Sequence, residues 1–234
     1  MWDLQWEEFA AEYRVIRADL RGYGRTVVPS GQFSYHGDVA ALLRHLGEES
    51  SFVIGLSFGG RVAIGFALAF SEMVSALILG APAVGGHQPS EELLRFSQEE
   101  DRLLERGDLA GATELNLRMW VDGPFRTRDQ VDAGVREQVR RMQMDVFAVP
   151  FPPDAERQEL APPAMDRLEE LQVPTLILVG ELDVPDFLCI ADTLDRRVAG
   201  ARKVFIPGGA HLPSTEKPEE FNRIVVDFLN GASG

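Results

Sequence analysis

Phe52-Val53-Ile54-Gly55-Leu56-Ser57-Phe58-Gly59-Gly60-Arg61 is the stretch on which the reading of this chain turns. Its opening residues read as a buried strand, and apolar residues from Arg61 to Phe70 recur at helical spacing, so Ser57 is expected on a sharp strand-to-helix turn. A glycine stands two residues before the serine and another two residues after it. A serine so placed takes a strained backbone conformation, and the flanking glycines are expected to make room where strand and helix converge, with Gly60 relieving the same crowding. This pattern describes a nucleophile elbow. In a chain with 22 glycines the pattern alone is only suggestive, and its weight comes from the elements around it and from partners further along.

A serine nucleophile needs a base, and the base needs an orienting acid; around an elbow they follow in the order serine, acid, histidine. Of His36, His45, His87 and His211, only His211 follows an acid that lies beyond a later strand. It closes Pro207-Gly208-Gly209-Ala210-His211 after the apolar run Val204-Phe205-Ile206, which puts it on a loop at the C-terminal end of a strand. Pro174 to Val179 reads as a parallel strand covered on both faces, and Gly180-Glu181-Leu182-Asp183 leaves its end. Asp183 is the expected acid, accepting the imidazole N–H. Glu181 and Asp186 compete, each readable equally as a solvated loop carboxylate or a helix cap. The preceding strand, Ala76 to Leu79, runs into residues 80–86, which hold no carboxylate.

With these segments, Tyr13 to Gly24, and His211-Leu212-Pro213 followed by Glu216, Pro218, Glu219 and Phe221, the chain resembles the α/β-hydrolase superfamily. Within it, the chain is similar to the small cofactor-free esterases and 3-oxoadipate enol-lactone hydrolase-like members. The resemblance implies an α/β fold with a mostly parallel central sheet and an inserted helical cap. It also implies Ser57, Asp183 and His211 as a triad, the Phe58 N–H as one half of an oxyanion hole, and no cofactor. The reaction implied is hydrolysis of a small carboxylic ester or lactone through an acyl-enzyme. C–C bond hydrolysis or perhydrolysis by the same triad is the runner-up, and a catalytically impaired binding protein is the rival from another class. Serine at the elbow disfavours mechanisms that need a carboxylate nucleophile there, as in dehalogenation or epoxide opening.

The family pattern also has three strands ahead of Tyr13, the third followed by a loop that completes the oxyanion hole, and these have no counterpart here. Trp2 to Ala11 reads as the helix after that loop. The absent third strand would lie between a strand at Arg14 to Ala18 and the one at Phe52 to Ile54. An upstream reading frame, a sheet that closes the gap, or a partner chain would each answer this, and the chain as given is expected to be unstable or to form a homo-oligomer. Asp19 and Arg21 read as a structural ion pair about as readily as residues near a pocket.

Residues 83–170 read as a helical insertion between core segments 1–82 and 171–234. Ser90 to Arg106, Ala110 to Met119 and Arg128 to Met144 are charged helical stretches with apolar residues on one side, and five prolines between 150 and 163 break up the next portion of the chain. Trp120, Phe125, Met142 and Phe147 are pocket candidates, although each reads more readily as packing between insertion and core. The 234 residues, 45% of them hydrophobic, suffice for one large core. A net charge of −14 argues against nucleic acid and anionic membrane surfaces as partners. With no long apolar run and no signal-like start, a cytoplasmic location is expected. The single cysteine, Cys189, reads as a small core residue of a helix from Asp186 to Arg197, and no residues have metal-ligand spacing.

Overall fold

A computed structural model describes residues 1–232. Along the chain run α1 (Asp3–Ala10), β1 (Gly31–Phe33), α2 (Tyr35–His45), β2 (Ser51–Leu56), α3 (Phe58–Ala69), β3 (Val74–Gly80), α4 (Glu91–Glu105), α5 (Leu109–Asn116), α6 (Ala133–Ala148), β4 (Ala155–Arg157), β5 (Thr175–Gly180), α7 (Pro185–Arg197), β6 (Arg202–Ile206), α8 (Pro213–Glu216) and α9 (Pro218–Ala232). A π-helical turn, Leu117–Asp122, continues α5.

Four strands form a parallel sheet in the order β2-β3-β5-β6. Strands β3 and β5 are apolar runs because both of their faces are covered. Leu77, Leu79, Ile177 and Val179 point to a cluster with Ile64 and Phe66 of α3 and Ile190 and Leu194 of α7. The alternating residues Ile78, Leu176 and Leu178 point the other way, to Phe9 of α1 and Phe221, Ile224 and Val225 of α9. The two-residue period of the strands thus builds a three-layer α/β sandwich. Such a sheet carries functional groups on the loops at the C-terminal strand ends, where Ser57, Asp183 and His211 all emerge.

The expected strand at Arg14 to Ala18 is absent. The segment still alternates, with Tyr13 and Val15 against one core cluster and Ile16 against the other, but no described strand pairs with it. A strand exists through its ladder of hydrogen bonds, and β2 is left as an edge of the sheet. The expected Asp19–Arg21 pair does not form either. Arg21 is bidentate to Asp38 of α2, while Asp19 accepts the Arg25 N–H at 3.1 Å. Cys189 is exposed on the outer face of α7 rather than in the core, which α7 meets through Phe187, Ile190, Ala191 and Leu194.

Between β3 and β5 the expected helices are present as α4, α5 and α6, and β4 returns the chain to pair with β1. Buried Arg136 of α6 ties this region together, donating to Asp122 at 2.9 Å and to Glu114 of α5 at 2.6 Å, while Arg140 reaches Glu114 at 2.9 Å. The bonds from Arg136, then those from Arg140, hold the Glu114 carboxyl down to about 2. A carboxyl lowered in the folded state adds stability above its unfolded value of 4.5 and loses that contribution as pH falls toward 2. Glu114→Gln is therefore expected to melt about 2–4 °C below wild type at pH 7, roughly 1 kcal/mol after solvent screening. In melts followed by circular dichroism, that gap should close as pH falls from 4.5 to 2.

Candidate active site

Strand β2 ends at Leu56 and α3 begins at Phe58, so one residue makes the whole turn. Ser57 has φ 51° and ψ −115°, a strained conformation that presents its side chain above the strand ends. A Cβ on Gly55 would stand 2.3 Å from the Gly59 carbonyl oxygen, and one on Gly60 would stand 2.7 Å from the Pro82 Cβ. The crowding expected at Gly59 is not there, since a Cβ on it would meet nothing within 4 Å. The turn is secured by the Ser57 N–H donating to Gly80 O at 2.9 Å and by the Ala83 N–H donating to Ser57 O at 3.0 Å.

His211 stands on the loop between β6 and α8, pressed against the end of β5. A Cβ on Gly180 would lie 2.2 Å from the Ala210 carbonyl oxygen, so only glycine permits this approach, and the Leu182 N–H binds Gly209 O at 2.9 Å. The approach brings His211 over Asp183. His211 Nδ1 lies 3.0 and 3.3 Å from the two Asp183 carboxylate oxygens, and Nε2 lies 2.8 Å from Ser57 Oγ. Because a carboxylate accepts, Nδ1 carries the proton and Nε2 is free to accept the Ser57 hydroxyl. Asp183 is fully buried and His211 is 3% exposed, so this pairing is shielded from water. Asp183 Oδ1 also accepts the Val184 N–H at 2.7 Å.

The competing carboxylates are engaged elsewhere. Asp186 accepts from His87 Nε2 at 3.1 Å and from the Ser90 N–H at 2.8 Å, fastening the entry of α4 to α7. Glu181 accepts the Gly208 N–H at 3.2 Å.

Two rings close on the imidazole. Trp120, in the π-helical turn, has its ring centroid 4.7 Å from that of His211, and Phe187 of α7 lies at 4.2 Å. The Trp120 indole N–H donates to Asn116 Oδ1 at 3.0 Å, and Asn116 Nδ2 donates in turn to Glu100 of α4. Burial raises the Glu100 carboxyl above its ordinary range. Phe58 stacks with Tyr23 at 5.9 Å, and burial pushes the Tyr23 phenol up to about 12. The Phe58 N–H opens α3, whose first-turn amides lack helical acceptors. Of the other expected pocket residues, Phe125 stands 58% exposed, and Met142 and Phe147 are half-buried on α6. Phe187 and Tyr23 also border the site, although no motif marks them. Phe187 stands four residues after Asp183, in the first turn of α7, a proximity legible in the chain.

A cavity of about 150 Å³ beside α3, lined in part by His36, Phe58, Arg61 and Glu159, touches none of Ser57, Asp183 and His211. Among the described residues no group of three or more His, Cys, Asp or Glu side chains is arranged to hold a metal ion, and no helix is long and apolar enough to cross a membrane.

The serine elbow and the histidine loop meet at the C-terminal ends of an open parallel sheet. The chain belongs to the alpha/beta hydrolase family, whose model matches residues 1–224, and it is a hydrolase. It is 32% identical over 237 residues to the 2-hydroxy-6-oxononadienedioate/2-hydroxy-6-oxononatrienedioate hydrolase of Paraburkholderia xenovorans (strain LB400), covering 94% of this chain and 77% of that one. It is 28% identical over 250 residues to epoxide hydrolase 3 of Xenopus tropicalis, covering 97% and 67%. A thermophilic esterase from Thermogutta terrifontis, solved with malate bound, superposes with a TM-score of 0.72 at 28% identity, covering 99% of this chain and 85% of that one.

Proposed function

We propose that this hydrolase cleaves a small carboxylic ester or lactone through an acyl-enzyme, with Ser57 as nucleophile, His211 as base and Asp183 as the orienting acid. The observation that carries the reading is the unbroken line from the buried Asp183 carboxylate through His211 to the Ser57 hydroxyl at 2.8 Å. His211 Nε2 takes the hydroxyl proton as Oγ attacks the acyl carbon, and the charge that develops on the carbonyl oxygen faces the Phe58 N–H. The same imidazole returns the proton to the departing alkoxide, then deprotonates the water that releases the acid. Residues 83–170 act as the cap, with Trp120 reaching from it onto the imidazole. None of these steps calls for a cofactor.

Serine at the elbow argues against epoxide opening by a carboxylate nucleophile. A C–C bond hydrolase built on the same residues is the second reading, favoured by the 32% identity to the Paraburkholderia enzyme. Hydrolysis of p-nitrophenyl butyrate by the wild-type protein, with a fluorophosphonate labelling Ser57 alone, is the expected result. Labelling at another residue, or turnover without labelling, overturns the mechanism. Turnover of a vinylogous diketone with no activity on esters favours the second reading.

A further inference from the structure

Glu216, at the end of α8, is nearly buried and sends one carboxylate oxygen, Oε1, to two backbone amides, those of Ala210 at 3.1 Å and Leu212 at 3.3 Å. These are the residues on either side of His211. A carboxylate that accepts from both neighbours fixes the peptide planes around His211 and so the direction in which its Cα–Cβ bond points.

The other oxygen, Oε2, accepts from Arg126 Nη1 at 2.6 Å. Arg126 comes from the insertion, just after the π-helical turn that carries Trp120. Three further N–H groups donate to the Asp122 carbonyl at 3.0 Å, the Val121 carbonyl at 2.6 Å and the Gly208 carbonyl at 3.3 Å. One guanidinium thus binds the end of the Trp120 turn, the start of the His211 loop and the carboxylate that holds that loop. The pair is almost withdrawn from water, with side chains 11% and 6% exposed, so removing either partner leaves the other buried and uncompensated at a cost in stability.

We infer that Arg126 and Glu216 form a positioning clamp that aims the His211 imidazole between Asp183 and Ser57 and ties that aim to the seating of the Trp120 turn. The inference rests on His211 being the base. Neither residue touches the reacting atoms; both act through His211. Loss of the clamp lets the imidazole drift, and a misplacement of about 1 Å costs on the order of 10²-fold in rate. The loss therefore falls on kcat.

The test compares Glu216→Ala, Glu216→Gln and Arg126→Lys with Arg95→Ala, which removes an exposed ion pair on α4. Arg126→Lys keeps the charge opposite Glu216 but cannot span the three carbonyls, so it is spared the cost of an unpaired buried carboxylate. With p-nitrophenyl butyrate, Glu216→Ala and Arg126→Lys are expected to lose about 10- to 100-fold in kcat, with KM within about threefold of wild type. Glu216→Gln should fall between them and wild type, because its amide oxygen still accepts the two N–H groups. A readout independent of turnover is the downfield proton resonance of His211 Nδ1–H, which should broaden or vanish in Glu216→Ala and persist in Arg95→Ala. Variants that melt cooperatively, keep that resonance and retain kcat within about twofold overturn the clamp. Absence of turnover in wild type overturns the proposed activity instead, and the resonance then decides the clamp by itself.

Discussion

Ester turnover is expected to fall by about 10⁶-fold, to background, in Ser57→Ala and equally in His211→Ala. The two losses are of similar size because the groups act as a unit. Without Oγ there is nothing to acylate, and without the imidazole the hydroxyl 2.8 Å away keeps its proton. Both variants should remain folded. Ser57 sits at the mouth of the turn rather than in either apolar cluster, and the backbone bonds from its N–H and to its carbonyl oxygen do not depend on the side chain. His211→Ala leaves the buried Asp183 carboxylate with the Val184 N–H, at some cost in melting temperature. Initial rates on p-nitrophenyl butyrate with melting curves check both expectations, and a Ser57→Ala protein that still turns over ester would refute the nucleophile.

The second large effect is Asp183→Asn, expected to lower kcat by about 10⁴-fold with little change in KM. Asparagine fits the same volume and its carbonyl oxygen can still accept the Val184 N–H. Because Oδ1 is also the oxygen nearer Nδ1, the amide NH₂ takes the place of Oδ2, 3.3 Å from Nδ1; the neutral amide no longer stabilises the imidazolium, and where the NH₂ donates to Nδ1 the ring proton moves to Nε2. An imidazole protonated at Nε2 cannot take the Ser57 proton. Asp186→Asn serves as the contrast: it disturbs the bonds to His87 and Ser90 that anchor α4, not the ring of His211. A result in which Asp186→Asn abolishes turnover and Asp183→Asn spares it would move the acid to Asp186 while leaving the family assignment intact.

Much of the fold is readable locally, because apolar runs, helical spacing and glycine positions are properties of neighbouring residues. Phe52 to Ile54, Ala76 to Leu79, Pro174 to Val179 and Val204 to Ile206 announce four strands, and each lies within or overlaps a strand of the sheet. The elbow is equally local, since a one-residue turn between strand and helix forces Ser57 to positive φ and excludes a side chain at Gly55. The order serine, acid, histidine is likewise present in the linear chain.

Tertiary structure decided what depends on partners distant in sequence. Arg14 to Ala18 has the alternation of a strand, yet no ladder forms without a neighbour to pair with. Arg21 meets Asp38 rather than Asp19 because the chain turns at residues 22–26, where the Gly22 N–H bonds to the Thr26 carbonyl and Asp19 receives the Arg25 amide. Glu181, Asp183 and Asp186 lie within six residues, and the sequence points to Asp183 with the other two as competitors; the approach of the His211 loop to Gly180 leaves only Asp183 beneath Nδ1. Trp120 is 91 residues from His211 and Arg126 is 90 residues from Glu216, separations at which no local pattern carries information. Sequence by itself determined the strands, the elbow and the order of the candidate groups, because those are set by short-range sterics and burial. Which carboxylate faces the imidazole, and which aromatic and charged groups surround it, was decided only when the sheet brought its strand ends together.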